Sequence, residues 1–301
     1  MTPVTMGIGL EPLSALAIVA ETEGFFGRQG VTATVRKFPS GKLAMEALLA
    51  GDVQVATVAE TPVVFDSFAR RDFRILAIIG TADNEIRIIA RKDRGICNHG
   101  DLKGRRVATQ EASSMHFFLH MFLVKHGLMG KEVAITYAPP DTLAGMLVSG
   151  QVDACSTREP VISRVRAALG ENAVVFEEPG LFVKYYLVVA EQRFLERNPA
   201  AACAILRALV DAETYAKQHP RKTTTAVARA IKIEEAVLKQ LWSCVDLRVR
   251  LSQSLLSAME DEARWAMSSG LVKAVAAPNY LWLVHPNALL DVKPAAMGII
   301  R

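Results

Sequence analysis

Strand-like and helix-like hydrophobic patterns alternate along the first third of the chain. Val4–Leu10 is a short apolar run that predicts a strand, and Pro12 begins a helical pattern, since proline suits a first helical turn. Thr32–Phe38 alternates apolar and polar positions with the period of a strand. Ser40 is a good N-cap for a helix that ends at Gly51. Further strands are predicted at Val53–Ala59, Ile75–Ile79 and Ile86–Arg91.

The middle third repeats this order of elements. Arg105–Gln110 predicts a strand, Ser113 or Ser114 begins a helix with one apolar face, and Gly127 ends that helix. The pattern continues with a strand, a helix and a strand, at Val133–Ala138, Leu143–Val148 and Val152–Ser156. After Tyr185–Ala190 the pattern is helical, at Asn198–His219, Thr223–Lys232, Ile233–Trp242 and Leu251–Ser269.

The two thirds also resemble each other residue by residue. Leu49–Thr57 is similar to Val148–Ser156 at a constant offset, and the same offset places Glu60 on Glu159. Chance similarity between two helix–glycine–strand segments is the alternative. With the matched order of elements, the repeat predicts two similar α/β lobes.

Two apolar strands flank the middle segment and are the predicted crossovers between the lobes, Ile86–Arg91 and Tyr185–Ala190. Lobe I is then discontinuous and consists of residues 1–86 and 189–301, with the C-terminal helices. Lobe II consists of residues 87–188. Two crossing strands would form a hinge, and a ligand would bind in the cleft between the lobes.

Composition excludes several classes of protein. The 301 residues are 51% hydrophobic and 22% charged, with a net charge of +4, which is typical of a globular protein. Basic residues are scattered, so no nucleic-acid partner is predicted. No apolar run reaches the roughly 18 residues that span a membrane. The cysteines have no metal-binding or redox spacing, and either one disulfide or free thiols is open for Cys97, Cys155, Cys203 and Cys244.

Ligands of open α/β sheets bind beyond the carboxyl ends of the strands. In lobe I these positions hold Glu11, Ser40, Gly41, Glu60 and Thr61. In lobe II they hold Ser113, Ser114, Met115, His116, Thr157, Arg158 and Glu159, and Tyr185 lies near a crossover. These thirteen residues are the predicted ligand-binding residues.

The start of the helix at Ser113–His116 is suited to an anion, because hydroxyls and free amides there donate hydrogen bonds. A plain N-cap is the alternative. Arg158 could grip a carboxylate, sulfonate or phosphate, or pair with Glu159. Glu11 and Glu60 favour a donor group on the ligand, unless they are solvated surface acids. Both signs together suggest an anionic or zwitterionic solute.

Enzyme and cofactor motifs fail on inspection. Gly7-Ile8-Gly9 lacks the third glycine of a dinucleotide site, and His116 and His120 lack the intervening glutamate of a zinc protease. The sequence therefore predicts no catalytic residue, no cofactor and no metal. An enzyme on the same scaffold is the alternative, with Cys155 or His116 as its reactive group.

The chain resembles the nitrate/sulfonate/taurine-type (NMT1/THI5-like) periplasmic solute-binding proteins. The segments that carry the resemblance are Gly24–Phe26, Gly30–Val31, Phe38–Gly41, Ala50–Val53, Asp101–Val107, Ser113–Phe117, Gly150–Ala154 and Glu159–Pro160. The resemblance implies the type II periplasmic-binding fold, a small-molecule ligand and delivery to an ABC permease in the inner membrane. We expect a monomer.

In that family the turn equivalent to Ser113–His116 commonly contacts the acidic group of the ligand, and the loops at Ser40–Gly41 and Glu60–Thr61 contribute from the other lobe. Relatives often carry an aromatic residue where Arg158 stands, so the ligand is open. Periplasmic localisation is implied, and because Met1–Leu10 lack signal-peptide features, a signal peptide is expected to have been trimmed. A desulfinase-like or pyrimidine-synthesising enzyme, a thiamine-pyrimidine precursor binder and a ligand sensor are alternatives.

Overall fold

A computed structural model describes residues 1–128 and 132–300. The described chain forms two compact units. The first unit consists of Met1–Thr81, Lys184–Ile231 and Val245–Arg301, and the second of Ala82–Val183 and Lys232–Cys244. Residues 232–244, which the sequence assigned to lobe I, therefore group with the second unit.

Strands and helices follow the alternation that the hydrophobic pattern predicts. The strands are β1 (Thr2–Gly9), β2 (Val31–Phe38), β3 (Val55–Ala59), β4 (Phe73–Ala82), β5 (Arg87–Arg91), β6 (Arg106–Thr109), β7 (Ala134–Tyr137), β8 (Ala154–Thr157), β9 (Ala173–Phe176), β10 (Lys184–Glu191), β11 (Val245–Asp246), β12 (Leu251–Ser252) and β13 (Met297–Gly298). The helices are α1 (Ala15–Thr22), α2 (Phe25–Arg28), α3 (Gly41–Leu49), α4 (Glu60–Ser67), α5 (Ser114–Lys125), α6 (Leu143–Val148), α7 (Val161–Leu169), α8 (Gln192–Arg197), α9 (Pro199–Gln218), α10 (Pro220–Ile231), α11 (Glu235–Leu241), α12 (Gln253–Ser268) and α13 (Pro286–Val292).

The first unit is built on a six-stranded sheet with the order β11-β4-β10-β3-β1-β2. β1 pairs in parallel with β2 along its whole length and with β3 on its other side. β10 pairs with β3 in the antiparallel direction. Every residue of β3 is buried, as expected for a central strand that is covered on both faces.

The second unit has a five-stranded sheet with the order β7-β6-β8-β5-β9. β6 is parallel to β7 and β8, and β5 is antiparallel to β8 and β9. The order β7-β6-β8-β5 repeats β2-β1-β3-β10 of the first unit, with the antiparallel strand in the same place. The two predicted lobes thus share a strand order.

The internal repeat corresponds to one structural segment in each unit. Helix α3 is followed by Gly51 and β3, and helix α6 is followed by Gly150 and β8. Both glycines are left-handed, with φ of 81° and 77°, a conformation that ends a helix and that glycine adopts without steric cost. The repeated sequence therefore specifies the same helix–turn–strand segment twice.

Two elements of the second unit were not predicted, α7 and β9. Three of the four residues of β9 are only partly buried. All four cysteines are free. Among residues 1–128 and 132–300, no helix combines the length and the apolar character needed to cross a membrane.

Candidate functional site

At the carboxyl end of β1, the carboxylate of Glu11 is fully occupied by partners within the first unit. One oxygen, Oε1, accepts from the Tyr186 hydroxyl at 2.9 Å and from the Gly41 amide at 3.2 Å. The other, Oε2, forms an ion pair with Lys184. Both charged side chains are about 2% exposed. Glu11 therefore fixes the start of α3 and balances a buried ammonium.

Close backbone approach explains two glycines beside Glu11. A Cβ atom on Gly9 would lie 2.5 Å from the Gly41 nitrogen and from the Tyr186 hydroxyl oxygen. A Cβ atom on Gly41 would lie 2.7 Å from that same hydroxyl. Ser40, the predicted N-cap, accepts from the Leu43 amide at 3.3 Å. The loop after β2 is thereby held against the end of β1.

Glu60 begins α4 and is completely buried. Burial raises its pKa to about 8, and the amides of Glu60 and Tyr185 and the charge of Lys184 offset only part of that effect. Glu262 of α12 is also fully buried, and its pKa lies well above the usual range because of burial and the nearby Glu60. The Thr61 side chain offsets part of this rise in the pKa of Glu262.

Two carboxyl groups that are buried beside each other do not both ionise at neutral pH. Glu60 therefore faces Glu262 as a largely neutral acid. It does not supply the negative charge on which the sequence-based argument for a ligand amine relied.

In the second unit, the start of α5 presents donors rather than acids. Ser113 is the N-cap, and its hydroxyl oxygen accepts from the His116 amide at 3.4 Å while donating to the Gln110 carbonyl at 2.6 Å. Ser114 and Met115 are the first helical residues and are 4% and 3% exposed. The first amides of a helix have no acceptor in the preceding turn, so an anion placed there gains hydrogen bonds and a favourable dipole.

A strained residue precedes this helix start. Ala112 has φ of +50°, in the left-handed region that residues with a Cβ atom rarely adopt. Such strain costs about 1–3 kcal/mol and persists where the surrounding structure enforces it. Here it turns the chain from β6 into the N-cap at Ser113.

Two buried hydroxyls lie at the carboxyl ends of the neighbouring parallel strands β6 and β8. Thr109 ends β6, and Thr157 ends β8. Both side chains are 0% exposed, and neither Oγ1 atom has a hydrogen-bond partner within the described residues. Buried hydroxyls are normally hydrogen-bonded, so these two are available to an acceptor that enters the site.

Arg158 and Glu159 follow Thr157 directly and are buried. The Arg158 Nη1 donates to the main-chain oxygen of Glu159 at 3.0 Å. The Glu159 carboxylate accepts from the Ser163 amide at 3.0 Å, in the first turn of α7. Glu159 thus caps the first turn of α7. The hydrogen bond between Arg158 and Glu159 joins the Arg158 side chain to the Glu159 main chain.

His116 packs its ring against Tyr137, with ring centroids 4.9 Å apart. The Tyr137 hydroxyl lies 3.2 Å from His116 Nε2. Because β7 runs beside β6, Tyr137 is brought to the same edge of the sheet as Thr109, its partner in the strand register. Tyr137 was not predicted as a site residue.

Comparison with known proteins identifies the family. Residues 11–223 match the model of the family described as NMT1/THI5 like. The chain belongs to this family.

One relative and two solved structures show what this chain is similar to. The chain is 23% identical to the taurine-binding periplasmic protein of Escherichia coli (strain K12) over 213 residues, which cover 70% of this chain and 66% of that protein. The alkanesulfonate-binding protein SsuA from Xanthomonas axonopodis pv. citri, bound to MOPS, superposes with a TM-score of 0.82 at 19% identity and covers 94% of this chain and 98% of its own. The desulfurization enzyme DSZB superposes with a TM-score of 0.68 at 17% identity and covers 97% and 99%.

These likenesses confirm the predicted fold, the α/β fold of periplasmic binding proteins with sheets and helices in two lobes. The NMT1/THI5-like resemblance drawn from the sequence is confirmed as well. The individual site residues are not tested by the likenesses. Within the units, the structure gathers Glu11, Gly41, Lys184 and Tyr186 in the first and Ser113, His116 and Tyr137 in the second.

The residues that sequence analysis missed carry different signals. Thr109 stands at the end of a predicted strand, where polar residues were sought, yet it was read as part of the strand. Lys184 and Tyr186 lie in an apolar strand, and a lysine inside such a run indicates a buried counter-charge elsewhere. Its partner, Glu11, could not be located from the sequence.

Proposed function

We propose that this protein is the extracytoplasmic solute-binding component of an ABC importer, and that it binds a small anionic or zwitterionic solute at the amino terminus of α5. The observation that carries the proposal is the group of donors in the second unit. Ser113 and Ser114 stand at the helix start, and the buried hydroxyls of Thr109 and Thr157 end the adjacent strands. Arg158 adds a positive charge beside Thr157.

A sulfonate suits this arrangement in its number of acceptor oxygens and in its charge. Its three oxygens are all acceptors, and it stays ionised throughout the physiological pH range. Hydrogen bonds to a charged group are each worth about 1.5–3 kcal/mol, so a few of them reach the roughly 8 kcal/mol of a micromolar dissociation constant. The relatives named for taurine and alkanesulfonate support this class of ligand.

In the first unit we assign different roles to the predicted residues. Glu11, Gly41 and Glu60 position the starts of α3 and α4, because their polar groups are engaged or neutral. Ser40, Thr61 and Tyr185 remain proposed as ligand-contacting residues. In the second unit Met115, His116, Thr157 and Glu159 complete the proposed set.

We further propose a periplasmic location, a permease partner and a monomeric state. The relative's description as a periplasmic protein supports the location. A binding protein passes its solute to a permease unchanged and needs no catalytic group. We therefore also propose that this protein is not an enzyme.

Isothermal titration calorimetry with taurine, methanesulfonate and nitrate tests the proposal. We expect at least one sulfonate to bind with a micromolar dissociation constant. Ser114→Ala and Arg158→Ala should each weaken it about tenfold or more, roughly 1.4 kcal/mol per decade. Ser149→Ala and Arg166→Ala change exposed residues of the same types in the same unit and should leave affinity unchanged.

Unchanged affinity in both site variants would remove the start of α5 from the binding site. The panel should also contain thiamine-pyrimidine precursors, because a family member with that ligand would bind them and ignore the sulfonates.

An enzymatic function is the second candidate, and the likeness to DSZB favours it. The buried thiol of Cys155 opposes it, because burial raises the pKa of this thiol to about 12 and a thiolate nucleophile needs the opposite shift. Its Sγ donates to the Leu143 carbonyl within the sheet-helix core. Incubation with the bound solute should therefore release no inorganic sulfur oxyanion, and steady release would favour the enzyme.

A further inference from the structure

Three metal-ligating side chains from distant parts of the sequence meet in the second unit. His99 begins a short 3-10 helix, His99–Leu102, after β5. His126 is the C-cap of α5, and Glu178 lies in the loop that follows β9. One ligand atom from each of the three residues lies within 4.8 Å of the other two. This group is far from the start of α5 along that helix.

The distances suit a metal ion after a small rotation of the side chains. Nε2 of His126 lies 2.6 Å from Oε1 of Glu178, and Nε2 of His99 lies 3.8 Å from the same oxygen. Zinc bonds of 2.0–2.2 Å in tetrahedral geometry place ligand atoms about 3.3 Å apart. The two observed separations lie on either side of that value.

Aromatic packing holds the two imidazoles in place. The rings of His99 and His126 stack with centroids 4.1 Å apart and an angle of 22°. Phe176 packs edge-on against His99 at 4.9 Å, and Phe122 contacts both imidazoles, at 5.5 and 4.6 Å. The imidazoles are thus ordered before any ion binds, which lowers the entropy lost on binding.

Lys125 leaves one carboxylate oxygen for the cluster. Its ammonium pairs with Oε2 of Glu178, while Oε1 faces the two histidines. Such an outer partner orients a ligating carboxylate. The Glu178 side chain is 10% exposed and that of His99 is 39% exposed, so an ion can reach the cluster from solvent.

We propose that His99, His126 and Glu178 form a binding site for a divalent transition-metal ion of the zinc class. Two imidazoles and a carboxylate select such ions over magnesium and calcium, which prefer oxygen ligands alone. Three protein ligands leave a fourth position for water or another donor. The ion would connect the 3-10 helix, the end of α5 and the loop after β9.

Cobalt(II) and zinc titrations of chelator-treated full-length protein test the site. We expect one cobalt ion to bind per chain with the visible absorption of a tetrahedral complex, and zinc to displace it. His99→Gln and Glu178→Gln should each weaken zinc at least about tenfold, since even the loss of an outer partner costs 10–100-fold. Zinc should also raise the melting temperature of the wild-type protein.

His120→Gln and His219→Gln are the matched controls, because each removes one histidine outside the cluster. Both should bind zinc as tightly as the wild type. His99 is partly exposed, so its variant should fold even where Glu178→Gln weakens the contact to Lys125. An equal loss in the controls, or no saturable one-to-one binding to the wild type, would overturn the proposal.

Discussion

The same topological position carries opposite chemistry in the two units. At the carboxyl ends of the strands, the first unit buries two acids. Glu11 forms an ion pair with Lys184, and Glu60 lies beside another buried acid, Glu262. The second unit places serine and threonine hydroxyls there, with Arg158 beside them. The strand order β2-β1-β3-β10 of the first unit recurs as β7-β6-β8-β5 in the second, yet these strand ends carry acids in one unit and hydroxyls in the other.

The difference shows how little of a site follows from its scaffold. Glu60 and Glu159 occupy matching places in the internal repeat, after the third strand of each half. Glu60 shares a buried pocket with another carboxyl group, whereas Glu159 caps the first turn of α7. A repeated fold therefore repeats backbone geometry but not the partners of its side chains.

The largest expected effect comes from breaking the buried ion pair of the first unit. Lys184→Met removes the ammonium and leaves the Glu11 carboxylate buried with only hydrogen-bond donors. We expect the free energy of unfolding, measured with urea, to fall by about 3–5 kcal/mol. The double variant Glu11→Gln/Lys184→Met should recover part of this loss, because no buried charge is left.

The control for that variant is Lys239→Met, which breaks the exposed pair of Lys239 with Glu235. Such a pair contributes about 0.3–0.5 kcal/mol. If Lys184→Met costs no more than this control, the first unit is not organised around its buried pair, and the comparison between the units fails.

The next effect is a dependence of stability on pH. The pKa of Glu60 is raised to about 8 in the folded protein from an ordinary value of 4.5. The folded state thus holds a proton that the unfolded state releases, and the stability from this group is fully present below pH 4.5 and is lost as pH rises to about 8. Glu60→Gln keeps the neutral shape and removes the titration.

We expect the wild type to lose stability relative to Glu60→Gln by up to about 1.4 kcal/mol per pH unit between about pH 5 and 8. Urea unfolding at several pH values measures this difference. Glu196→Gln, at an exposed glutamate of α8, is the matched control and is measured at the same pH values. A constant difference between wild type and Glu60→Gln would mean that Glu60 is ionised and paired.

The alternation of strands and helices was predictable because it is local. Each signal depends only on residues that are close in sequence. These signals are the hydrophobic periods of two and of 3.6 residues, the cap at Ser40 and the glycines after α3 and α6. The strand β9 was missed because it has only four residues, too few to show a period of two. Residues 232–244, placed in lobe I from the sequence, group with the second unit, because a helix pattern does not state which other elements the helix contacts.

The candidate site was predictable by position and not by partner. Strand ends pointed to Ser113, Arg158 and Glu60, but the partner that decides the state of Glu60 is Glu262, about two hundred residues away in the sequence. Lys184 lies 173 positions from Glu11 in the sequence, and no local pattern joins them. The cluster of His99, His126 and Glu178 escaped notice for the same reason, because metal motifs were sought at short spacing.

The smallest effect contrasts two buried threonines of matching strands, Thr57 in the middle of β3 and Thr157 at the end of β8. Thr57 in the first unit accepts from the Gly9 amide at 3.1 Å, so Thr57→Val should cost about 1 kcal/mol by leaving that amide without a partner. Thr157 in the second unit has no such partner among the described residues. Thr157→Val should therefore leave the ligand-free protein unchanged or about 1 kcal/mol more stable, because an unsatisfied hydroxyl is removed from the interior.

The same variant should weaken sulfonate binding by about threefold to tenfold in calorimetry, since one hydrogen bond to the anion is lost. Equal destabilisation by both variants, with sulfonate affinity preserved, would show that the Thr157 hydroxyl serves the fold in the same way as that of Thr57.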